Sequence, residues 1–152
     1  MPHDHTAAAW LWAVVRVAYT TLGNYLVGLT PEENHWKKGD AWGRVGAYRW
    51  AAWHFRRYLT YSDDPRVRAH LAWCYANLGM LESAAQHYRQ AHSRNKHADI
   101  ALGLAQLEIQ LGNVEAAQAL VGSLASRRQE LDREAIAMLD SLQTALNPRA
   151  VD

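Results

Sequence analysis

The stretch "LAWCYANLGMLESAAQHY", from Leu71 to Tyr88, decides the fold. Before Gly79, the residues Leu71, Ala72, Tyr75 and Leu78 recur at the offsets of one helix face; after it, Leu81, Ala84 and Tyr88 do the same. A glycine between two such patterns supplies the left-handed backbone that ends the first helix and reverses the chain in very few residues. The alanine one turn into the second helix lets two axes approach, and the large residue one turn later fills the space beyond it.

The pattern recurs. Stepping 33 residues either way from Gly79 reaches Gly46 and Gly112, and the neighbours fall into columns: Ala51, Ala84 and Ala117; Phe55, Tyr88 and Val121; Tyr58, Ala91 and Leu124; Tyr48, Leu81 and Val114. Leu104, Ala105 and Leu111 repeat the face that Leu71, Ala72 and Leu78 present. Helix starts are marked as well. "TPEE" at Thr30 to Glu33 is a capping box with Pro31 at the first helical position, and "DDPR" places Asp64 as an N-cap before Pro65. The spacing predicts helices near 31–44, 47–60, 66–78, 81–94, 98–111, 114–126 and 130–146, and no strand.

These units resemble tetratricopeptide repeats, whose length is commonly about 34 residues and whose pattern sets small and large residues at these offsets. The best matched stretches are "WKKGDAWGRVGAYRWAAWHFRRYL" and the opening one extended to Ala91. The resemblance implies an all-α fold, a right-handed superhelix of antiparallel helix pairs (an α-solenoid), with an extra long N-terminal helix. It divides the chain into an apolar helix over 1–29, three repeats over 30–129 (about 31–64, 65–97 and 98–129), a capping helix over 130–147 and a tail over 148–152. The proline expected after each second helix is loosely matched by Pro65 and missing after the second unit, where Asn95 and Lys96 stand.

The N-terminal run "TAAAWLWAVVRVAYTTLGNYLVGL" is almost wholly apolar. One step back along the columns reaches Val15, Ala18, Leu22 and Tyr25, in phase with a second helix, so the run is expected to pack as a half-repeat. Arg16, Thr20 and Asn24 recur every fourth position as a narrow polar stripe, which leaves most of the circumference in need of cover. Trp10, Trp12, Val15, Leu22 and Tyr25 are the candidate docking residues. The cover could come from the array, a partner protein, a second copy of the chain or a membrane surface. "MPHDH" lacks the basic start of a signal peptide, and Arg16 would cost roughly 2.5–3.5 kcal/mol inside a bilayer, which disfavours a span.

Charge and chemistry narrow the function. The formal net charge is +1, which makes no overall case for nucleic acid. Its distribution is uneven: residues 32–96 carry eleven Lys or Arg against six Asp or Glu, residues 97–152 carry four against eight, and all seven Trp lie at or before Trp73. A lone Cys74 fits a reducing cytoplasm and excludes an internal disulfide framework. His70 and Cys74 stand four apart with nothing near in sequence to complete a metal site, and His54 and His87 read as a repeat echo on a solvated outer face. No nucleophile elbow, P-loop or dinucleotide fingerprint occurs. The glycine of "KKGD" falls at the tight-packing position of the family's first helix. No catalytic residue, metal ligand or cofactor is expected.

By resemblance, the inner groove is lined by the second, fifth and ninth positions of each first helix. Here these are Glu33, Trp36 and Asp40; Arg66, Ala69 and Trp73; Asp99, Leu102 and Gln106. Arrays that grip chaperone tails use Lys and Asn at such places, and this chain has neither there. Aromatic and Arg anchors of this kind suit capture of a peptide or helix. The expectation is a non-catalytic adaptor for another polypeptide; the alternative is a membrane-peripheral assembly subunit docked through its first helix, with either Trp36 and Trp73 open to a partner or that helix folded over them.

Overall fold

The computed structural model describes residues 7–27 and 30–147, with the side chains of all of these but 23–27. Among the described residues every regular element is helical. The helices are α1 (Ala7–Val27), α2 (Pro31–Arg44), α3 (Tyr48–Tyr58), α4 (Pro65–Asn77), α5 (Leu81–Arg94), α6 (Ala98–Gln110), α7 (Val114–Ala125) and α8 (Arg133–Leu146). Successive helices pack side by side as antiparallel pairs, α2 with α3, α4 with α5 and α6 with α7, and each pair leans on the next. This is an α-solenoid.

The start signals act as their chemistry requires. Thr30 accepts from the Glu33 amide at 3.3 Å while the Glu33 carboxylate accepts from the Thr30 amide at 3.2 Å. Asp64 accepts from the Arg66 amide at 2.7 Å. The last helix begins later than its periodicity suggests: a 3-10 turn occupies Arg128–Glu130, and Asp132 then caps α8 by accepting from the Ala135 amide at 2.8 Å.

Each reversal turns on one residue. Gly46, Gly79 and Gly112 have φ of 75°, 76° and 78°, and they are the positive-φ residues of the described chain. Beyond each turn two of the columns are equivalent in burial: Ala51, Ala84 and Ala117 are fully buried, with Phe55, Tyr88 and Val121 at 1%, 8% and 5% exposure, whereas Val114 is exposed where Tyr48 and Leu81 are half-buried, and Tyr58 is half-buried where Ala91 and Leu124 are buried. Leu78 departs from its column, lying exposed at the C-cap of α4. The glycine of "KKGD" packs tightly as anticipated, since a Cβ on Gly39 would stand 2.6 Å from Phe55 Cε1.

The N-terminal helix is where expectation and structure part. α1 does pack on α2, with Ala13 against Val45 and Ala47, and Trp10 lying 5.8 Å from Trp42. Its rotation about its own axis is different. Ala13 and Thr20 face inward, while Val15 and Leu22, expected to pack in phase, are 56% and 60% exposed, and Ala18 is exposed with them. Two of its polar residues face the array instead: Arg16 reaches Asp40 of α2 at 3.5 Å, and Thr20 is buried with its hydroxyl donating to the Arg16 carbonyl at 2.7 Å. The side chain of Tyr25 lies outside the described residues.

A second departure concerns His54. It is buried rather than on a solvated face, and its Nδ1 lies 3.0 Å from Nδ1 of His35, joining α3 to α2. One ring must donate and the other accept, which requires at least one neutral imidazole. Burial, then the charge of His35 and of Lys38, push His54 down to about 4, and His35 is lowered by burial, Arg57 and Lys38. The sign follows: His54 titrates near 6.5 when unfolded and well below that when folded, so its contribution is complete above pH 6.5 and is lost as pH falls toward 4. Urea unfolding at steps between those limits is expected to show wild type losing about 3 kcal/mol more than His54→Phe. Equal slopes for both proteins would refute the assignment.

Candidate functional site

The first helices of the units, α2, α4 and α6, present one concave face, and a groove of about 680 Å³ runs along it. Of the residues predicted for such a groove, Asp40, Arg66, Ala69, Trp73 and Asp99 line it together. Gln106 lines an adjoining hollow of about 210 Å³ that shares Trp73. The other three lie elsewhere. Glu33 is exposed and committed to the cap of α2. Trp36 is half-buried beneath the groove, 5.7 Å from Phe55 and 4.9 Å from His70. Leu102 is a correction: at 2% exposure it belongs to the core shared with Leu124, Ala135 and Leu139, because α8 packs over that side of α6.

Trp73 is built into the floor. Gly43 leaves room for its ring, a Cβ there standing 3.2 Å from Trp73 Cζ3, and Tyr48 meets it edge-on at 5.1 Å and 87°. The indole nevertheless stays 38% exposed. No described residue of α1 lines the groove, so the first helix does not fold over it. A rigid, half-open indole is a ready anchor for an apolar side chain, since little rotamer freedom remains to be lost.

The charges around it are partly spent. Asp40 is held by Arg44 at 3.0 Å and by Arg16 at 3.5 Å, and Asp99 has His97 at 3.4 Å. Arg66 makes no ion pair among the described residues, which leaves one uncommitted cation in the groove.

Several lining residues escaped the first-helix pattern: Arg44, His70, Tyr88 and His97. Tyr88 belongs to a second helix and reaches through because Gly103 has no side chain, a Cβ there standing 2.8 Å from the phenol. His70 could have been found one turn after Arg66 on the same face of α4. Cys74, one turn after His70, is fully buried in the core with Phe55, Val67 and Leu71, where desolvation pushes the thiol up to about 12, outside the range of a reactive thiolate.

Comparison with known proteins agrees with this architecture. The tetratricopeptide-repeat family model matches residues 78–142. The structure is similar to yeast Tom70, at 20% identity and a TM-score of 0.64, over 75% of this chain and 24% of that one. It is also similar to BtubC (BKLC) from P. vanneervenii, at 22% identity and a TM-score of 0.71, over 97% of this chain and 68% of that one. No curated protein matches the sequence. Residues 78–142 thus match the tetratricopeptide-repeat family model, and the helix pairs before them share the fold of these structures and the same positive-φ turn glycine at Gly46.

Proposed function

We propose that the chain is a non-catalytic adaptor whose concave groove holds a segment of another polypeptide. The observation that carries this reading is Trp73, wedged between Gly43 and Tyr48 yet open to the groove, with Arg66, which makes no ion pair among the described residues, lining the same groove. The occupant with matching chemistry has an apolar or aromatic side chain to lie on the indole and a carboxylate for the guanidinium. The formal charges of the groove balance, Arg44 and Arg66 against Asp40 and Asp99, so recognition rests on these two anchors rather than on long-range attraction.

The full chain is used as bait in native lysate, and the recovered partner's affinity is measured against Trp73→Ala/Arg66→Ala. The double variant is expected to bind at least about 30-fold more weakly, which corresponds to a loss of about 2 kcal/mol, with helix content unchanged. Arg66 is exposed, and truncating Trp73, packed on Gly43 and Tyr48 but 38% exposed, should cost some stability without unfolding the array, which the helix content checks. Trp36→Ala added to Trp73→Ala should abolish capture as well, although Trp36 acts by supporting His70 and Phe55 from below. Undiminished binding by Trp73→Ala/Arg66→Ala would refute the groove assignment.

A further inference from the structure

α1 is amphipathic in the reverse sense. Its outward side chains Leu11, Trp12, Val14, Val15, Tyr19 and Leu22 are between 49% and 76% exposed. Its one charged residue, Arg16, turns inward to Asp40 and lies 5.1 Å from the Trp12 ring. With aromatic side chains presenting roughly 150–250 Å² each, the face amounts to on the order of 700 Å². That exceeds the largest patch of a typical monomer, about 300–600 Å², and approaches the roughly 800 Å² each partner gives to a standard interface.

We propose that α1 is a dimerisation helix, packing on α1 of a second copy about a two-fold axis so that two solenoids meet at their N-terminal ends with both grooves free. Two observations select this occupant. The face carries no charge, so its own copy brings neither like-charge repulsion nor an unpaired ion; a helix lying on a membrane surface carries Lys or Arg along its polar side, whereas the one cation here is committed to Asp40. The opposite end of the array is sealed: α8 exposes Arg133, Glu134 and Asp140, the last paired with Arg128 at 2.9 Å. Stacking α8 of one copy on α1 of the next would bury those charges against an apolar surface. Head-to-tail stacking of α8 on α1 is therefore disfavoured, and the uncharged face suits an isologous contact that closes on itself. This inference stands independently of what the groove binds.

Sedimentation equilibrium of the full chain over a concentration series is expected to give twice the chain mass and no larger species. Val15→Glu/Tyr19→Glu sets like charges across the axis at exposed positions; it should raise the dissociation constant on the order of 100-fold or more with helix content unchanged. Val15→Cys and Ala18→Cys, tested singly under oxidation, should yield a disulfide-linked dimer from at least one, because a two-fold axis brings a mid-helix position near its own copy; buried Cys74 does not compete. The proposal is overturned if wild type is monomeric throughout, if it forms a ladder of oligomers, if the dimer survives the paired glutamates, or if a monomer instead co-sediments with phosphatidylcholine and phosphatidylserine vesicles.

Discussion

Replacing Arg89 by Met is expected to lower the unfolding free energy by about 3–5 kcal/mol, more than replacing the residue it pairs with. Glu108 of α6 is 2% exposed, and its carboxylate accepts from Arg89 Nε at 2.8 Å, from Arg89 Nη2 at 2.9 Å and from Asn113 Nδ2 at 2.7 Å. Arg89 of α5 is 52% exposed. The two partners are therefore not equivalent. Without Arg89, a buried carboxylate is left with one neutral donor; without the carboxylate charge, the guanidinium returns to water. Glu108→Gln should cost only about 1–2 kcal/mol. Arg89→Met/Glu108→Leu should recover most of the loss, because an apolar pair of similar volume carries no desolvation penalty. Since the bridge joins the second unit to the third, Arg89→Met should also let the C-terminal end unfold first. Urea titration of the four proteins decides the matter: a double variant as unstable as Arg89→Met would show that packing, not the stranded charge, sets the cost.

Phe55→Ala should cost about 3–5 kcal/mol, and it should reverse the sign of a second substitution. Phe55 is 1% exposed and enclosed by Trp36 at 5.7 Å and His70 at 5.6 Å, so its ring has nowhere to swing. In the wild-type background, Gly39→Ala sets a methyl 2.6 Å from that ring. Overpacking of about 1–3 kcal/mol then outweighs the gain of about 1 kcal/mol in helix propensity. With Phe55 already truncated, the clash is gone and the propensity gain remains. Gly39→Ala should then stabilise by about 1 kcal/mol. Equal destabilisation in both backgrounds would mean that Gly39 is required for some reason other than Phe55.

The groove was legible in part. Asp40, Arg66, Ala69, Trp73 and Asp99 follow from the positions the family resemblance implies, counted along first helices, and they stay together because a helix face is a local property. Tyr88 does not, since it enters from a second helix through the gap at Gly103; nor does the burial of Leu102, which depends on where α8 comes to rest. His54 shows the same limit. Its repeat with His87 is visible along the chain, yet its partner His35 is on another helix, and the Nδ1 contact exists only once α2 and α3 are packed.

What the sequence determined by itself is the hairpin and its recurrence: three glycines at φ near 75°, three fully buried alanines and the large residue behind each, all consequences of local sterics repeated at a fixed interval. What the tertiary structure decided is the rotation of α1. A helix apolar nearly all round has no strong preference for which side it buries, so periodicity could not choose. The rotation appears only in the packed array, where Ala13 meets Val45 and Ala47, Trp10 meets Trp42 and Arg16 meets Asp40, with the apolar face left outside.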